Sequence, residues 1–335
     1  MSKYLLLNPG PVNLDDRVRV AATSMDLCHR QEEFMDILMR VKHKIRKVSG
    51  KSRSNISILH GSGALSVESA IQTFVSGDVL VINNGEYCQR IEDSIRYNSD
   101  CKLFSLSFRT GEYPDLDRVR NCFDRHYDWV CVVHHETSTG ILNPLFEVCN
   151  LAQEYGSRVF VDAVSSFGAH RVDTRANVIC FNSNKCLESI PGAAIVVWDE
   201  ELVRCRNTLA YLDVTSYKKE RIPFTPNTNA IVALDTALDL FFKEDRYDRY
   251  SRMSSYVRKV GSKYYPLFLK SHHSNVLNSF SIDDNKYEML YQKAKEKDFI
   301  IYAGKMRGQF RIANMGVGIN YSKVDELFDC IGGIA

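Results

Sequence analysis

Strand-like and helix-like segments alternate in this 335-residue chain between residues 56 and 198. Short apolar runs have the length and composition of buried strands, and most are separated by helix-length segments such as 115–126 and 144–155. The strand-like runs are 56–59, 78–82, 101–107, 129–134, 158–164, 177–182 and 193–198. Strands that alternate with helices form a largely parallel sheet covered on both faces. The pattern therefore predicts an α/β fold whose ligand-binding groups gather outside the carboxyl ends of the strands.

The pattern changes after about residue 230. Two long helices are predicted at 228–243 and 246–260, and short strands then flank another helix. These later segments are strands at 276–282, 299–302 and 309–312 and helices at 285–297 and 323–331. We therefore predict an N-terminal segment over 1–20, a large domain over 21–230 and a smaller C-terminal α+β domain over 231–335.

Charge and cysteine content limit the partners and the compartment. The 43 basic and 41 acidic side chains give a formal net charge of +2, which provides no general field for nucleic acid. The ten cysteines include no C-x-x-C pair, and their scatter fits a reducing cytosol. The chain shows no secretory signal and no run of transmembrane length. We expect a cytoplasmic protein without metal, membrane or nucleic-acid partners.

Asp162 and Lys185 lie at the ends of predicted strands. Asp162 belongs to the apolar run Val159–Ser166, and Lys185 follows Phe181-Asn182-Ser183-Asn184. A lysine amine can hold pyridoxal phosphate as a Schiff base, and a carboxylate keeps the ring nitrogen of that cofactor protonated. A surface lysine and an ordinary strand-end aspartate have the same sequence pattern. The pair alone therefore suggests cofactor chemistry and leaves the purely structural alternative open.

Other residues near predicted strand ends are compatible with ligand binding. Gly61-Ser62-Gly63 joins a strand to a helix, where N–H groups attract phosphate, although a tight turn without a ligand has the same sequence. Tyr87 can stack on a planar ring or pack in the core. Arg311 alternates with apolar residues, so it can bind a carboxylate or phosphonate or face solvent. The adjacent His134 and His135 lack partners at metal-ligand spacing, so no metal site is predicted.

The glycine-serine-glycine turn, the strand-end aspartate, the lysine and the late arginine occur together with further motifs, in a specific order along nearly the whole chain. The additional motifs are Asn8-Pro9-Gly10-Pro11, Asn84-Gly85-Glu86-Tyr87, Glu136-Thr137-Ser138-Thr139-Gly140, Pro191-Gly192 and Phe310-Arg311-Ile312. From residue 4 to about 330, the sequence resembles the class V pyridoxal-phosphate aminotransferases of the alanine–glyoxylate group. The resemblance implies the fold type I of pyridoxal-phosphate-dependent transferases, pyridoxal 5'-phosphate as cofactor and transaminase activity.

The resemblance also implies a role for each matching residue. Lys185 would carry the cofactor and shuttle protons, while Asp162 would pair with its ring nitrogen. The ring would lie between Tyr87 and Val164, with Thr137 on its oxygen side. The phosphate would be held near the start of a helix and near Lys185, by Ser62, Gly63, Ala64 and Asn184. Of these, the alanine lacks the hydroxyl that is common at its position in the family.

Substrate binding and assembly are implied in the same way. Thr228 matches a threonine that reaches the phosphate from the neighbouring subunit, which implies a homodimer with shared active sites. Arg311 would bind the acidic end of the substrate, assisted by backbone near Gly10. Arg30 would supply a second cation for a phosphonate dianion, or would lie at the start of a helix without a ligand. The N-terminal segment 1–20 would line the active site.

Within this family, the motifs favour amino-group transfer between 2-aminoethylphosphonate and pyruvate, in phosphonate metabolism. Transamination of alanine with glyoxylate, or of serine with pyruvate, is an alternative because Arg311 would serve these substrates too. A cysteine desulfurase-like lyase needs a nucleophilic cysteine on a late mobile loop, whereas Cys330 lies in the predicted terminal helix. An intact pair of Lys185 and Asp162 disfavours a non-catalytic binding module.

Overall fold

The computed structural model describes residues 3–206, 208–218, 222–302 and 307–334. Its strands are β1 (Leu5–Leu7), β2 (Ser54–Gly61), β3 (Gly77–Asn83), β4 (Cys101–Ser107), β5 (Trp129–Val133), β6 (His135–Glu136), β7 (Ile141–Leu142), β8 (Arg158–Asp162), β9 (Val178–Asn182), β10 (Gly192–Asp199), β11 (Leu277–Ser281), β12 (Phe299–Ile301) and β13 (Gln309–Ala313). Its α-helices are α1 (Asp16–Ala21), α2 (Glu32–Ser49), α3 (Gly63–Phe74), α4 (Glu86–Arg96), α5 (Leu116–Asn121), α6 (Leu145–Glu154), α7 (Thr228–Lys243), α8 (Arg246–Gly261), α9 (Asp284–Glu296) and α10 (Tyr321–Ile331).

The central sheet has seven strands in the order β2-β10-β9-β8-β5-β3-β4. The strands from β9 to β4 run parallel to their neighbours, whereas β10 is antiparallel to both β2 and β9. Only the turn 183–191 separates β9 from β10, which is too short for the crossover that a parallel pair requires. The mostly parallel sheet predicted from the alternation of strands and helices is therefore confirmed.

Buried strands of this sheet face two hydrophobic cores. In β5, Val130 and Val132 pack into the core that includes α2, α6 and α7, whereas Cys131 and Val133 pack into the core that includes α3 and α4. Successive strand residues point to opposite faces, so a strand buried on both faces reads as a continuous apolar run. Because both faces are covered, polar side chains converge at the ends of the strands.

Helix boundaries follow local signals where these are strong. The helix predicted at 31–48 is α2, and it ends at Gly50, whose φ of 71° is the left-handed conformation of a helix cap. The helix predicted at 115–126 is too long, because α5 ends at Asn121 and a short 3-10 turn follows. Within that turn, Phe123 has a ψ of 26°, which interrupts the helical backbone.

The C-terminal region has its own hydrophobic core. Helices α8, α9 and α10 pack against β11, β12 and β13, which confirms the smaller C-terminal α+β unit. Strand β1 joins this core by pairing in parallel with β12, a contact that the sequence did not predict. The boundaries of the domains predicted as 1–20, 21–230 and 231–335 stay a prediction.

The state of the cysteines and the character of the helices bear on the environment of the chain. All ten cysteines are free thiols, and burial raises the pKa of thiols such as those of Cys131 and Cys180 well above the usual range. In the part of the chain that the structure describes, the helices lack the combination of length and apolar character that crossing a bilayer requires.

Candidate active site

Functional side chains gather at the carboxyl ends of three neighbouring strands. Asp162 is the last residue of β8, Lys185 lies in the turn after β9, and Glu136 lies just beyond β5. The three strands are parallel neighbours in the sheet, so their carboxyl ends meet at one edge. This edge is where open α/β sheets bind ligands.

Asp162 is a buried carboxylate, 7% exposed. Its burial raises its pKa to about 6, although the backbone N–H of Val164 and the charge of Lys185 oppose that shift. The N–H of Val164 donates to its Oδ1 at 2.8 Å. A buried carboxylate with this little compensation favours a cationic partner.

Lys185 is half-buried beside Asp162. Desolvation of its ammonium group lowers its pKa, and the charge of Asp162 opposes this shift. A lowered pKa increases the fraction of neutral, nucleophilic amine. Its Nζ lies 5.8 Å from the ring centroid of Tyr87. The lysine amine and the tyrosine ring are therefore close to each other, and the predicted stacking of Tyr87 on the cofactor ring stays a prediction.

The N-terminal loop lies directly against Lys185. A Cβ added at Gly10 would be 3.0 Å from Cγ of Lys185 and 3.4 Å from the carbonyl oxygen of Asn184. Gly10 also has a φ of 103°, which other L-residues rarely adopt. The close approach and the backbone conformation together explain why glycine occupies this position.

A cavity opens beside Asp162 at the start of α3. Five of the residues predicted to bind a cofactor line it: Gly63, Ala64, Tyr87, Asp162 and Val164. A Cβ added at Gly63 would lie 2.7 Å from Cγ1 of Val164, so the helix start packs tightly on this loop. Ser62 is the N-cap of α3, and its side chain makes no capping hydrogen bond within the described residues. The N–H groups at this helix start can bind an anion.

Arg311 reaches the same edge from the C-terminal region. It lies on β13 and is 2% exposed, so the alternative of a surface arginine is wrong. Its Nη1 donates to the carbonyl oxygen of Thr137, and its guanidinium lies 4.6 Å from the ring centroid of Tyr302. Burial lowers its pKa. Thr137 thus touches Arg311 through its backbone.

Arg30 and Thr228 lie outside the lining of this cavity. Arg30 is exposed in the turn before α2. Thr228 is the first residue of α7, and its hydroxyl lies 3.3 Å from Oδ1 of Asn229. The preceding Asn227 donates its N–H to Nδ1 of His60 at 3.1 Å, which places the start of α7 beside β2. The substrate role of Arg30 and the phosphate role of Thr228 stay predictions.

Glu136 is a site residue that sequence reasoning did not single out. Its buried carboxylate accepts hydrogen bonds from N–H of Tyr87 at 2.8 Å and of Cys88 at 3.3 Å, and from N–H and Oγ of Ser138 at 2.9 and 2.6 Å. Burial raises its pKa, and these hydrogen bonds oppose the shift. It caps the start of α4 and so holds Tyr87 in place. The sequence signal was a glutamate three residues after the end of the buried strand β5.

Arg90 and the paired histidines were also assigned no role from the sequence. Arg90 lines the cavity one helical turn after Tyr87, with its guanidinium 4.8 Å from that ring. Burial lowers the pKa of His134 to about 3 and that of His135 well below the usual range, so both rings are neutral at pH 7. In the described ranges, no group of three or more His, Cys, Asp or Glu side chains is arranged to hold a metal ion.

Comparison with known proteins identifies the family to which the sequence is related. The family model described as aminotransferase class-V matches residues 17–263. A 2-aminoethylphosphonate–pyruvate transaminase of Bacillus cereus is 30% identical over an alignment 358 positions long, gaps included, which covers 98% of this chain and 97% of that protein. A transaminase of the same name from Bacillus anthracis is 29% identical over 98% of this chain and 97% of its own length.

Solved structures share the fold. A pyridoxamine–pyruvate aminotransferase from Mesorhizobium loti has a TM-score of 0.90 at 23% identity, covering 98% of this chain and 91% of that chain. An alanine–glyoxylate aminotransferase from Nostoc sp. has a TM-score of 0.88 at 24% identity, covering 100% of this chain and 96% of that chain. The predicted fold type I of pyridoxal-phosphate-dependent transferases is confirmed. Because the family model spans most of the sequence and the relatives cover nearly all of it, this chain belongs to the class V aminotransferases.

Proposed function

We propose that this protein transfers an amino group between 2-aminoethylphosphonate and pyruvate, with pyridoxal phosphate as cofactor, giving phosphonoacetaldehyde and L-alanine. The observation that carries the chemistry is the electrostatic interaction of the Lys185 amine with the buried Asp162 carboxylate, which lines a cavity at the start of α3. The substrate pair is supported by relatives of that name, which are 29–30% identical to this chain over nearly its whole length.

The residues at the cavity fit pyridoxal phosphate. The start of α3, at Ser62, Gly63 and Ala64, offers N–H groups to an anion, and Asn184 lies in the turn before Lys185. Burial of Asp162 outweighs the opposing charges of Lys185 and Arg90, and a protonated ring nitrogen would offset that burial further. Bound there, pyridoxal phosphate supplies the electron sink that stabilises negative charge at the reacting carbon.

The chain's own groups provide covalent attachment and proton transfer. The Nζ of Lys185 would hold the cofactor, and its neutral amine would accept a proton from the substrate and return it. Its lowered pKa favours the neutral form that accepts a proton. Tyr87 and Val164 bound the cavity and orient a planar ring, while Thr137 lies on the side of Arg311.

Arg311 binds the acidic end of each substrate. Its guanidinium is buried and oriented by the Thr137 carbonyl oxygen, and guanidinium groups bind both carboxylates and phosphonates through paired N–H donors. The two substrates occupy the site in turn, so one arginine serves both. The backbone near Gly10 assists, and Arg30 supplies a second cation to the phosphonate.

Assembly as a homodimer completes the site in this proposal. Thr228 lies outside the cavity of its own chain, at the exposed start of α7. It reaches the cofactor phosphate of the neighbouring subunit, which makes the two active sites interdependent.

Transamination of alanine with glyoxylate, or of serine with pyruvate, is the second candidate. Arg311 supports it, because a guanidinium binds a carboxylate as readily as a phosphonate. A desulfurase-like lyase is disfavoured, because Cys330 lies in helix α10 and burial raises the pKa of its thiol. Its Sγ contacts the carbonyl oxygen of Lys293 in α9 at 3.2 Å.

Half-reactions on the purified, cofactor-loaded protein test the proposal. The visible absorption band of the lysine-bound cofactor is followed while 2-aminoethylphosphonate, alanine or serine is added separately. We expect 2-aminoethylphosphonate to bleach the band at low concentration and pyruvate to restore it. Bleaching by alanine and serine alone would move the assignment to the second candidate. A wild-type protein without any such band would refute the cofactor.

A further inference from the structure

A buried ion network begins three residues after Lys185. Glu188 is 4% exposed, and its φ of 57° is a conformation that L-residues seldom adopt. Its Oε1 accepts hydrogen bonds from Nη2 of Arg249 and from the hydroxyl of Tyr250, both at 2.6 Å, and from N–H of Gly316 at 3.1 Å. One carboxylate oxygen therefore joins the lysine turn, helix α8 and the loop after β13.

The backbone next to Lys185 is held by the same helix. Nη1 of Arg246 donates to the carbonyl oxygens of Cys186 at 3.4 Å and of Leu187 at 3.1 Å. The hydroxyl of Tyr250 also lies 3.2 Å from the Cys186 carbonyl oxygen. Arg246 further lies 3.6 Å from Oε2 of Glu188. The peptide groups that follow the lysine are thus fixed by α8.

The loop after β13 extends the network to the N-terminal segment. Arg249 Nη1 donates to the carbonyl oxygen of Gly316 at 3.1 Å. N–H of Val317 donates to the carbonyl oxygen of Asn13 at 3.0 Å, and a Cβ at Gly316 would lie 2.6 Å from that oxygen. A small apolar cluster contains a residue from each of these segments, Val12, Cys186, Tyr250 and Met315, together with Ala169 and Val276.

We propose that Glu188 is a positioning residue that fixes the position of Lys185 relative to Arg311. We call this relative position their register. This proposal rests on the proposed transaminase function, in which Lys185 moves the proton and Arg311 holds the acidic end of the substrate. The two residues belong to different regions, and Glu188 contacts both the lysine turn and the loop that follows the arginine's strand. Burying charges is a poor way to gain stability, and in some proteins buried polar groups are retained because they specify one conformation.

Loss of this register should slow proton transfer more than it weakens binding. Transfer requires donor and acceptor at hydrogen-bond distance, and small misplacements lower the rate steeply. The cofactor contacts at Asp162 and the start of α3 do not involve Glu188, so cofactor loading should persist. A residue with only a structural role would lower the folded fraction and leave the rate per loaded site unchanged.

Single-turnover kinetics of Glu188→Gln and Tyr250→Phe with 2-aminoethylphosphonate test the proposal. Glu188→Gln removes the charge, and Tyr250→Phe removes one hydroxyl without opening a cavity. We expect the rate constant per loaded site to fall at least about tenfold in Glu188→Gln and about threefold in Tyr250→Phe. The half-saturating concentration should stay within about threefold of wild type. Borohydride trapping at Lys185 counts the loaded sites.

Asp235→Asn is the matched control. Asp235 also joins segments far apart in the chain through cations, accepting from Arg40 Nη2 at 2.8 Å and Lys44 Nζ at 2.7 Å between α2 and α7. It makes no contact with the lysine turn within the described residues. We expect its rate constant per loaded site to stay within about twofold of wild type, because the register at Lys185 is untouched.

Hydrogen exchange of the cofactor-free protein gives a readout independent of activity. We expect Glu188→Gln to speed exchange in both 183–190 and 314–318, and Asp235→Asn to leave these segments unchanged. Wild-type rates per loaded site in both test variants, or faster exchange in 183–190 alone, would overturn the proposal. A wild-type protein that never reacts with amino substrates would refute the proposed function, while the exchange result would still decide whether Glu188 couples the two segments.

Discussion

Two neighbouring strand ends carry buried carboxylates with different surroundings. Beyond β5, Glu136 accepts hydrogen bonds from Tyr87, Cys88 and Ser138, and it caps α4. At the end of β8, Asp162 accepts from N–H of Val164 and faces the cavity. Burial raises the pKa of both. A carboxylate whose oxygens already accept several hydrogen bonds, such as Glu136, has a structural role, and we call it a framework carboxylate. A buried carboxylate beside a cavity with lone pairs still available, such as Asp162, is positioned for a cationic ligand.

The largest effect is expected from removing the amine that faces Asp162. Lys185→Ala should lower transamination by at least about 10⁴-fold, because the chain then lacks both the attachment point and the proton-transferring group. Borohydride treatment should trap no cofactor on the variant. Lys102→Ala, at an exposed strand position, is the control and should keep wild-type activity. Activity above one hundredth of wild type in Lys185→Ala would contradict the assignment.

Replacing Asp162 should separate the two carboxylates by function. Asp162→Asn should lower the rate per folded site by about 10²- to 10³-fold, equal to about 3–4 kcal/mol, because an amide cannot pair with a protonated ring nitrogen. Glu136→Gln should keep the rate per folded site within about tenfold of wild type. Steady-state rates normalised to bound cofactor measure both. Equal losses of rate in the two variants would show that Asp162 and Glu136 do not differ in function.

The pH dependence of stability should carry the signature of Asp162. Its pKa is raised from 3.8 to about 6 by burial, so the folded chain holds this proton more tightly than the unfolded chain does. The free energy of unfolding of the cofactor-free protein should therefore fall as pH rises from about 4 to about 6. The contribution is on the order of 3 kcal/mol per chain. Urea unfolding should show this fall in wild type relative to Asp162→Asn, and parallel curves would disprove it.

Stability should reveal Glu136 as the framework carboxylate. Glu136→Gln turns an amide NH₂ toward buried N–H donors, so it should lower the free energy of unfolding by about 2 kcal/mol at pH 7. Asp162→Asn should leave the stability of the cofactor-free protein unchanged or increase it at that pH, since it removes a buried charge. Urea unfolding of both variants at pH 7 measures the difference, and an unaffected Glu136→Gln would contradict it.

The smallest effect is expected at Arg30, which is exposed in the turn before α2. Arg30→Ala should raise the half-saturating concentration of 2-aminoethylphosphonate by about three- to tenfold and leave that of alanine unchanged, because only the phosphonate carries a second charge. Half-reaction titrations with each amine measure this. Arg120→Ala, at an exposed pair with Glu154, is the control. Equal shifts for both amines would show that Arg30 does not select phosphonates.

Much of the site was accessible from sequence because its residues interrupt apolar runs. Asp162 ends a strand whose neighbours are apolar, and Lys185 follows another such strand, so both were predicted to meet at one sheet edge. Glu136 shows the same signal, but the sequence does not reveal whether a strand-end carboxylate is saturated. That difference depends on hydrogen bonds from α4 and from the turn after β6, which only the folded chain brings together.

The sequence by itself determined the alternation of strands and helices, the mostly parallel sheet and the position of Asp162 and Lys185, because hydrophobic periodicity and strand-end polarity are local. The tertiary structure decided the burial of Arg311 against Thr137, the pairing of Leu5–Leu7 with β12 and the contacts of Glu188. These depend on residues far apart in the chain, and three-residue strands are too short to show a period. Long-range packing therefore decided which buried polar side chains are hydrogen-bonded within the protein and which can bind a ligand.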